Sequence, residues 1–182
     1  YAGVRYLQLK QFDKAAEKFA QVIEKFPKFE QAEEAHLNWG WSLFSAGTSA
    51  NDPAQAKNRW EKAVAVFDSL LDSRKEGKLL DQAHFFRGET LYKLGRKEEA
   101  IAAYAKIVKD FPESKLRRDA LYALGVTQEE AKQYPAAIAT YDLFLSEVKE
   151  GDLPREVRLR RADCLLAKGD AAAAEAEFAT IA

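Results

Sequence analysis

Apolar residues recur along the whole chain at steps of three and four, the helical period, with no strand-like alternation. Leu121, Leu124, Gly125 and Gln128 fall on one stripe, and Ala137, Ile138, Tyr141, Phe144 and Leu145 on the next. Between such stripes stand turn signals: Gly47, Gly95, Lys132-Gln133 and Gly169-Asp170. The pattern predicts short helices joined by tight turns. Pro135 fits the opening turn of one of them, where its missing N–H costs nothing.

The stripes repeat. Ala-x-x-x-aromatic occurs as Ala15…Phe19, Ala63…Phe67, Ala100…Tyr104, Ala137…Tyr141 and Ala174…Phe178. A small residue precedes each: Gly3, Gly40, Gly88, Gly125 and Ala162. Both markers share a period of 37, broken once by an insertion of 11 residues between Gly40 and Ala63. Five two-helix units follow, at about 1–29, 30–77, 78–114, 115–151 and 152–182. Each Gly is expected to let its helix approach the Ala of the next, with the aromatic filling the wedge between neighbouring hairpins, so that enlarging Gly88 or Gly125 overpacks. Units one and three end in Phe26-Pro27 and Phe111-Pro112. Units two and four end in Lys75-Glu76-Gly77 and Lys149-Glu150-Gly151, with Gly expected in the left-handed cap conformation. This alternation hints at a duplicated pair of units. Asp52-Pro53 is a good helix start, so the insertion is expected to lengthen the second helix of unit two at its beginning, as a surface extension or as a lip beside a binding surface.

The set resembles the tetratricopeptide repeat, whose motif is Trp-x-x-Leu-Gly-x-x-Tyr, then Ala-x-x-x-Phe, then Pro. Here it stands as Gly3-x-x-Tyr6 with Ala15…Phe19 and Pro27; His36-x-x-Trp39-Gly40-x-x-Leu43 with Ala63…Phe67; and His84-x-x-Arg87-Gly88-x-x-Leu91 with Ala100…Tyr104 and Pro112. Unit four gives Leu121-x-x-Leu124-Gly125-x-x-Gln128 with Ala137…Tyr141, and unit five Arg158-x-x-Arg161-Ala162-x-x-Leu165 with Ala174…Phe178. The resemblance implies an all-α fold: a right-handed superhelical solenoid of about five antiparallel helix-turn-helix repeats forming one array over 1–182. Two features depart from the family. The period is 37 rather than 34, and its second Ala is replaced by Val22, Leu70, Ile107, Phe144 and Ile181. Longer units with Phe-Pro connections are similar to tetratricopeptide proteins of the bacterial cell envelope, which makes the periplasm the favoured compartment over the cytoplasm.

Composition narrows the function. Net charge is -1, and no segment of roughly one unit departs from neutrality by more than one charge. The basic stripe of a nucleic-acid binder is missing, so no nucleic-acid partner is expected. No apolar run approaches the roughly 20 residues of a membrane span. The chain has no Met and opens on Tyr1-Ala2-Gly3, which leads us to expect a piece of a longer polypeptide, cut inside a first helix and inside a second. One cysteine, Cys164, excludes an internal disulfide and reads as a structural thiol. His36 and His84 share one register and read as packing residues. No metal-ligand spacing, phosphate loop or nucleophile motif occurs, so no enzyme, metal or cofactor is expected.

What remains is a surface. In the tetratricopeptide family the first helix of each unit lines a concave face that takes peptides. On the first helices a second stripe runs through Leu37, Trp41 and Phe44; Phe85, Glu89 and Tyr92; Tyr122, Val126 and Glu129; and Leu159, Asp163 and Leu166, with Val4 and Leu7 in unit one. Such a stripe is either buried between hairpins or a groove for a peptide with apolar side chains, with acidic points at Glu89, Glu129 and Asp163. The Lys and Asn carboxylate clamp of the chaperone-tail binders is absent. Arg155, Arg158, Arg160 and Arg161, with Arg117 and Arg118, form the one basic cluster. They are expected to be ion-paired with Asp152, Glu156 and Asp163, or else to make a possible anion patch at Arg155, Arg158 and Arg160. Arg161 stands at a packing position, as though facing a further unit. The expected function is a non-enzymatic scaffold that binds a peptide or partner protein on the concave face. The alternatives are a self-assembling or spacer module, or a docking domain of a larger protein.

Overall fold

The computed structural model describes residues 2–74 and 76–180. Among them are ten helices and no strand. The chain divides into two compact units, residues 1–96 and 97–182. The first holds α1 (Ala2–Gln8), α2 (Phe12–Lys25), α3 (Ala32–Thr48), α4 (Pro53–Ser73) and α5 (Leu80–Lys93). The second holds α6 (Lys97–Asp110), α7 (Arg117–Glu130), α8 (Tyr134–Glu147), α9 (Leu153–Lys168) and α10 (Ala171–Ala179). Within each unit every helix packs on the next in sequence.

The turns inside the repeats are built alike. In α1–α2, α7–α8 and α9–α10 a residue one or two places beyond the end of the first helix has positive φ: Lys10 (54°), Lys132 (58°) and Gly169 (95°). Gly95, after α5, has φ 73°. Each carries the same pair of backbone bonds, for example Lys132 N–H to Glu129 O and Gln133 N–H to Gln128 O, both 2.8 Å. These are Schellman caps, which satisfy the last carbonyls of the helix. Gly47 occupies the same register but does not end its helix, contrary to the sequence expectation. The insertion carries α3 past it to Thr48, and the glycine becomes a buried helical position under Trp60, whose ring lies 2.6 Å from where a Cβ would stand. The lengthened α4 starts as expected: Asp52 accepts a hydrogen bond from Ala54 N at 2.9 Å, and Pro53 opens the helix. Its extra turns are tied back by Arg59, which donates from Nε and Nη2 to the two oxygens of Asp13, both at 2.9 Å.

The repeat glycines face rings, not the next helix's alanine. A Cβ on Gly125 would stand 2.7 Å from Tyr141 Cδ1, one on Gly40 2.7 Å from Phe67 Cζ, and one on Gly3 2.9 Å from Phe19 Cζ. The aromatic is therefore seated in the notch that the glycine leaves within its own hairpin. Tyr141, Phe144 and Leu121 are fully buried in one cluster with Ala137, Val157 and Cys164; Phe67, Leu70, Leu37 and Ala83 anchor another. Each of the large apolar side chains among them contributes about 1.5–3 kcal/mol by burial. Of the bulky replacements of the family's second Ala, Leu70, Ile107 and Phe144 are fully buried, Val22 is 36% exposed, and Ile181 lies outside the described residues.

The glycines of the Lys-Glu-Gly connections differ from expectation. α4 ends at Ser73 and α8 at Glu147, before either glycine. Gly151 is left-handed at φ 94°, but Gly77 is not. Gly77 is instead a close approach, with Glu33 Cδ 2.9 Å from its would-be Cβ and Glu33 Oε1 accepting from Leu79 N at 2.8 Å. These two connections also mark ion pairs at one register. Arg87 Nε donates to Asp68 at 2.5 Å, and Arg161 Nε to Asp142 at 2.6 Å. The corresponding residues beside the Phe-Pro connections are Trp39 with Ala20, and Leu124 with Ala105. Connection type and contact chemistry thus alternate together along the sequence.

Candidate functional site

In the N-terminal unit the leading helices α3 and α5 present aromatic side chains on one stripe. Trp41, Phe44, Phe85, Glu89 and Tyr92 are each half-buried. Trp41 meets Phe12 edge-on, with centroids 5.7 Å apart. Phe44 lies 6.4 Å from Phe86, which stacks on Phe67 at 6.5 Å and meets Phe85 edge-on at 5.8 Å. Each of these rings is packed against a neighbour and partly open to solvent. Leu37 does not belong with them. It is 5% exposed, inside the cluster around Phe67 and Leu70, because its helix buries that turn beneath α4 and α5.

The counterpart stripe in the C-terminal unit is polar. Tyr122 donates from its hydroxyl to Glu156 Oε1 at 2.5 Å, and Tyr141 to Glu129 Oε2 at 2.6 Å. Arg160 lies between the two carboxylates, with Nε 3.2 Å from Glu156 Oε1 and Nη1 3.3 Å from Glu129 Oε2, and with its guanidinium 5.9 Å above the Tyr122 ring. Burial and the Glu129 carboxylate push the Tyr141 hydroxyl far up from its ordinary value, so it stays a donor. The hydrogen bond from Tyr122 holds Glu156 below the usual carboxylate range. Glu129 and Arg160 stand at the register of Phe44 and Phe86, so one inter-helix contact is ring on ring in one unit and charge on charge in the other. Val126 is half-buried, while Leu159 at 40% and Asp163 are exposed on α9.

The arginine cluster is not a set of free cations. Arg158 pairs with Glu177 at 3.3 Å, Arg160 is held as above, and Arg161 bridges Asp142 and, at 2.7 Å, Glu177. Arg117 binds Glu147 with two bonds, at 2.9 and 2.6 Å, and also reaches the Val108 carbonyl. Arg155 is exposed on the first turns of α9. Arg158 and Arg160 are thus each held by carboxylates, and Arg161 is bound by acids of α8 and α10. Of the acids expected as partners, Glu156 serves; Glu129, Asp142 and Glu177 come from neighbouring helices. Sequence spacing along α9 alone does not show those partners.

A third repeat marker escaped the sequence reading. Ser42, Thr90 and Thr127 share one register, are at most 1% exposed, and each donates its hydroxyl to the carbonyl four residues back at 2.6 Å. Cys164 is the same position in the fifth unit, 1% exposed, its thiol pushed up to about 11 chiefly by burial. It fills a slot for a small polar side chain and is inert at neutral pH. His36 is a packing residue as expected, 9% exposed and stacked on Trp39 at 5.7 Å, with Nε2 lacking a hydrogen-bond partner. Burial, with a contribution from Arg74, holds its pKa below the ordinary value. His84 is half-buried. No group of three or more His, Cys, Asp or Glu suited to a metal exists among the described residues. No helix among them is long and apolar enough to cross a membrane.

Comparisons with known proteins agree with this architecture. Two family models, each described as tetratricopeptide repeat, match residues 50–115 and residues 1–28 with 119–149, together well over half of the chain. No curated protein matches the sequence. Among solved structures, MamA (residue 41 to its end) from Desulfovibrio magneticus RS-1 is similar with a TM-score of 0.72 and 18% identity, over 98% of this chain and 88% of that one. A putative kinesin light chain from Podospora anserina with nearly identical TPR-like repeats gives 0.64 and 16%, over 98% and 89%. TTC0263, a thermophilic TPR protein of Thermus thermophilus, gives 0.64 and 19%, over 90% and 78%. Identities this low establish the fold alone, while the family matches and the repeat packing go further. The chain belongs to the tetratricopeptide-repeat family, whose members are generally non-catalytic scaffolds for protein–protein interaction.

Proposed function

We propose that this scaffold grips a peptide or an extended segment of a partner protein on its leading-helix face, with the aromatic stripe of α3 and α5 as the anchor. The observation that carries this reading is the partial exposure of Trp41, Phe44, Phe85 and Tyr92 on one stripe. Half-buried rings are already ordered, so covering their outer edges recovers apolar area at little entropy cost. Glu89, on the same stripe, adds one acidic point and favours a ligand with apolar side chains beside a basic one. The C-terminal stripe, tied up in the Tyr122–Glu156–Arg160–Glu129 network, contributes rigidity more than affinity.

The test is selection of displayed peptides on the wild-type chain, followed by titration against Trp41→Ala and, separately, Tyr122→Ala. The expected result is enrichment of apolar and basic residues, with affinity falling at least tenfold in Trp41→Ala and about twofold or less in Tyr122→Ala, as for an aromatic hot spot against a peripheral contact. Peptides that bind Trp41→Ala as well as the wild type place the site elsewhere and refute the proposal.

A further inference from the structure

The insertion of 11 residues occurs in the second repeat alone. It brings the first turns of α4 against the turn between α1 and α2, where Arg59 holds both oxygens of Asp13. Two hollows of about 380 and 450 Å³ open around that ion pair, and Asp13, Gln55 and Arg59 line both. Lys10 and Lys14 also line the first, and Lys62 the second. Together they make one groove between two consecutive hairpins, with the insertion as its wall.

The groove is basic. Lys10, Lys14, Arg59 and Lys62 line it against a single carboxylate, Asp13, which Arg59 already holds. The acids just outside are engaged as well. Glu17 pairs with Lys18 at 3.2 Å and Glu61 with Lys57 at 3.9 Å, while Asp52 accepts from Ala54 N. Lys10, Lys14 and Lys62 are exposed, and none has a carboxylate partner among the described residues. Lys14 Nζ instead lies 5.7 Å from the centroid of the Tyr6 ring. Repeat packing does not call for these lysines. Lys14 and Lys62 share one register, at which the later units have Glu99, Ala136 and Ala173. A concave surface lined by unpaired charge of one sign concentrates ligands of the other.

We propose that this groove docks an acidic segment of a partner protein, whose carboxylates meet Lys10, Lys14 and Lys62. Gln55 and Asn58, both exposed on the insertion's side, offer hydrogen bonds to its backbone. A peptide is favoured over a nucleic acid because the cations are few and confined to one groove, in a chain of net charge -1. Phe12 lines the first hollow and meets Trp41 edge-on at 5.7 Å, so one ligand can run from the aromatic stripe into the groove. The acidic site itself does not depend on binding at that stripe.

The probe is a fluorescein-labelled peptide of six glutamates, titrated by anisotropy into the 182-residue chain at low salt, beside a short oligodeoxythymidine. The glutamate peptide is expected to bind, and to bind more weakly as salt is added. Lys10→Glu combined with Lys14→Glu lowers its affinity about tenfold, the scale of two reversed exposed ion pairs, with the helical circular dichroism unchanged. Gln55→Glu, on the wall that the insertion supplies, weakens it in the same direction. Lys25→Glu combined with Lys28→Glu makes the same change in net charge elsewhere on the unit and leaves the affinity within about twofold. Carbodiimide cross-linking joins the peptide to Lys10, Lys14 and Lys62 ahead of the other lysines. Trp41→Ala leaves the affinity unchanged, so failure of the aromatic anchor and failure of this site are told apart. Four outcomes overturn the proposal: no binding at millimolar peptide, equal losses in the two double-lysine variants, cross-links spread evenly over the lysines, or tighter binding of the oligodeoxythymidine.

Discussion

Gly125 offers the sharpest test of how the repeats are packed. A methyl group there would stand 2.7 Å from Tyr141 Cδ1, closer still to Cε1, and 3.0 Å from Cζ. The ring cannot swing aside cheaply. Tyr141 is 0% exposed, and its hydroxyl is fixed to Glu129 at 2.6 Å. Overpacking of this kind costs about 1–3 kcal/mol. Against it stands the gain of about 1 kcal/mol from replacing a helical glycine by alanine. Gly125→Ala is therefore expected to be net destabilising, by up to about 2 kcal/mol, although the same change at an open helical site stabilises. The assay is urea unfolding followed by circular dichroism, with the transition of the C-terminal unit resolved if the two compact units unfold separately. Tyr141→Leu supplies the second arm. If the clash is the cause, Gly125→Ala costs about 1 kcal/mol less in the Tyr141→Leu background than in the wild type. A Gly125→Ala protein more stable than the wild type, or a cycle with no coupling, would refute the notch-and-ring account.

Other consequences follow from single residues. Lys132 holds a left-handed backbone at φ 58°, so Lys132→Gly should raise the urea midpoint by the equivalent of about 0.5–1 kcal/mol, whereas an unchanged midpoint contradicts the strain. Cys164→Thr reproduces the fourth unit's Thr127 and should fold with stability within about 1 kcal/mol of wild type; in the native chain the thiol should resist a thiol reagent at pH 7.5 until denaturant is added. His36 has a folded pKa below its unfolded value, so its contribution is present above about pH 6.5 and is lost as pH falls through the folded value. Urea midpoints at pH 7.5 and 5 should therefore differ less in His36→Leu than in the wild type. Arg161→Leu with Asp142→Ala mimics the Leu124 and Ala105 contact of the preceding repeat and should hold stability within about 1 kcal/mol, as expected for a partly exposed ion pair.

Local chemistry is legible in the sequence where one residue type has one reason to be there. Asp52-Pro53 announces the start of α4, and the Ala-x-x-x-aromatic marker locates each buried ring. Gly47 misleads because glycine has two uses. At the register of Gly95 it marks a left-handed cap, yet once the insertion prolongs the helix the same residue makes room for Trp60. Gly77 likewise serves a close approach to Glu33, a residue 44 positions away, and not a cap. The candidate site is legible only as a stripe. Periodicity places Leu37 beside Trp41 but does not show that α4 and α5 close over one and leave the other half open. The arginines of α9 read as a patch because their partners, Glu129, Asp142 and Glu177, stand on other helices. The Ser42, Thr90, Thr127 and Cys164 register is visible in the letters, but its meaning depends on burial and on the bond back to the helix carbonyl.

The most direct measurement of the central claim is amide hydrogen exchange of the wild-type chain with and without its tightest selected peptide. Binding at the aromatic stripe slows exchange in α3 and α5 around Trp41 and Phe85, leaves α7 and α9 unchanged, and loses that protection in Trp41→Ala. Protection confined to α7–α10, or retained in full by Trp41→Ala, would contradict it.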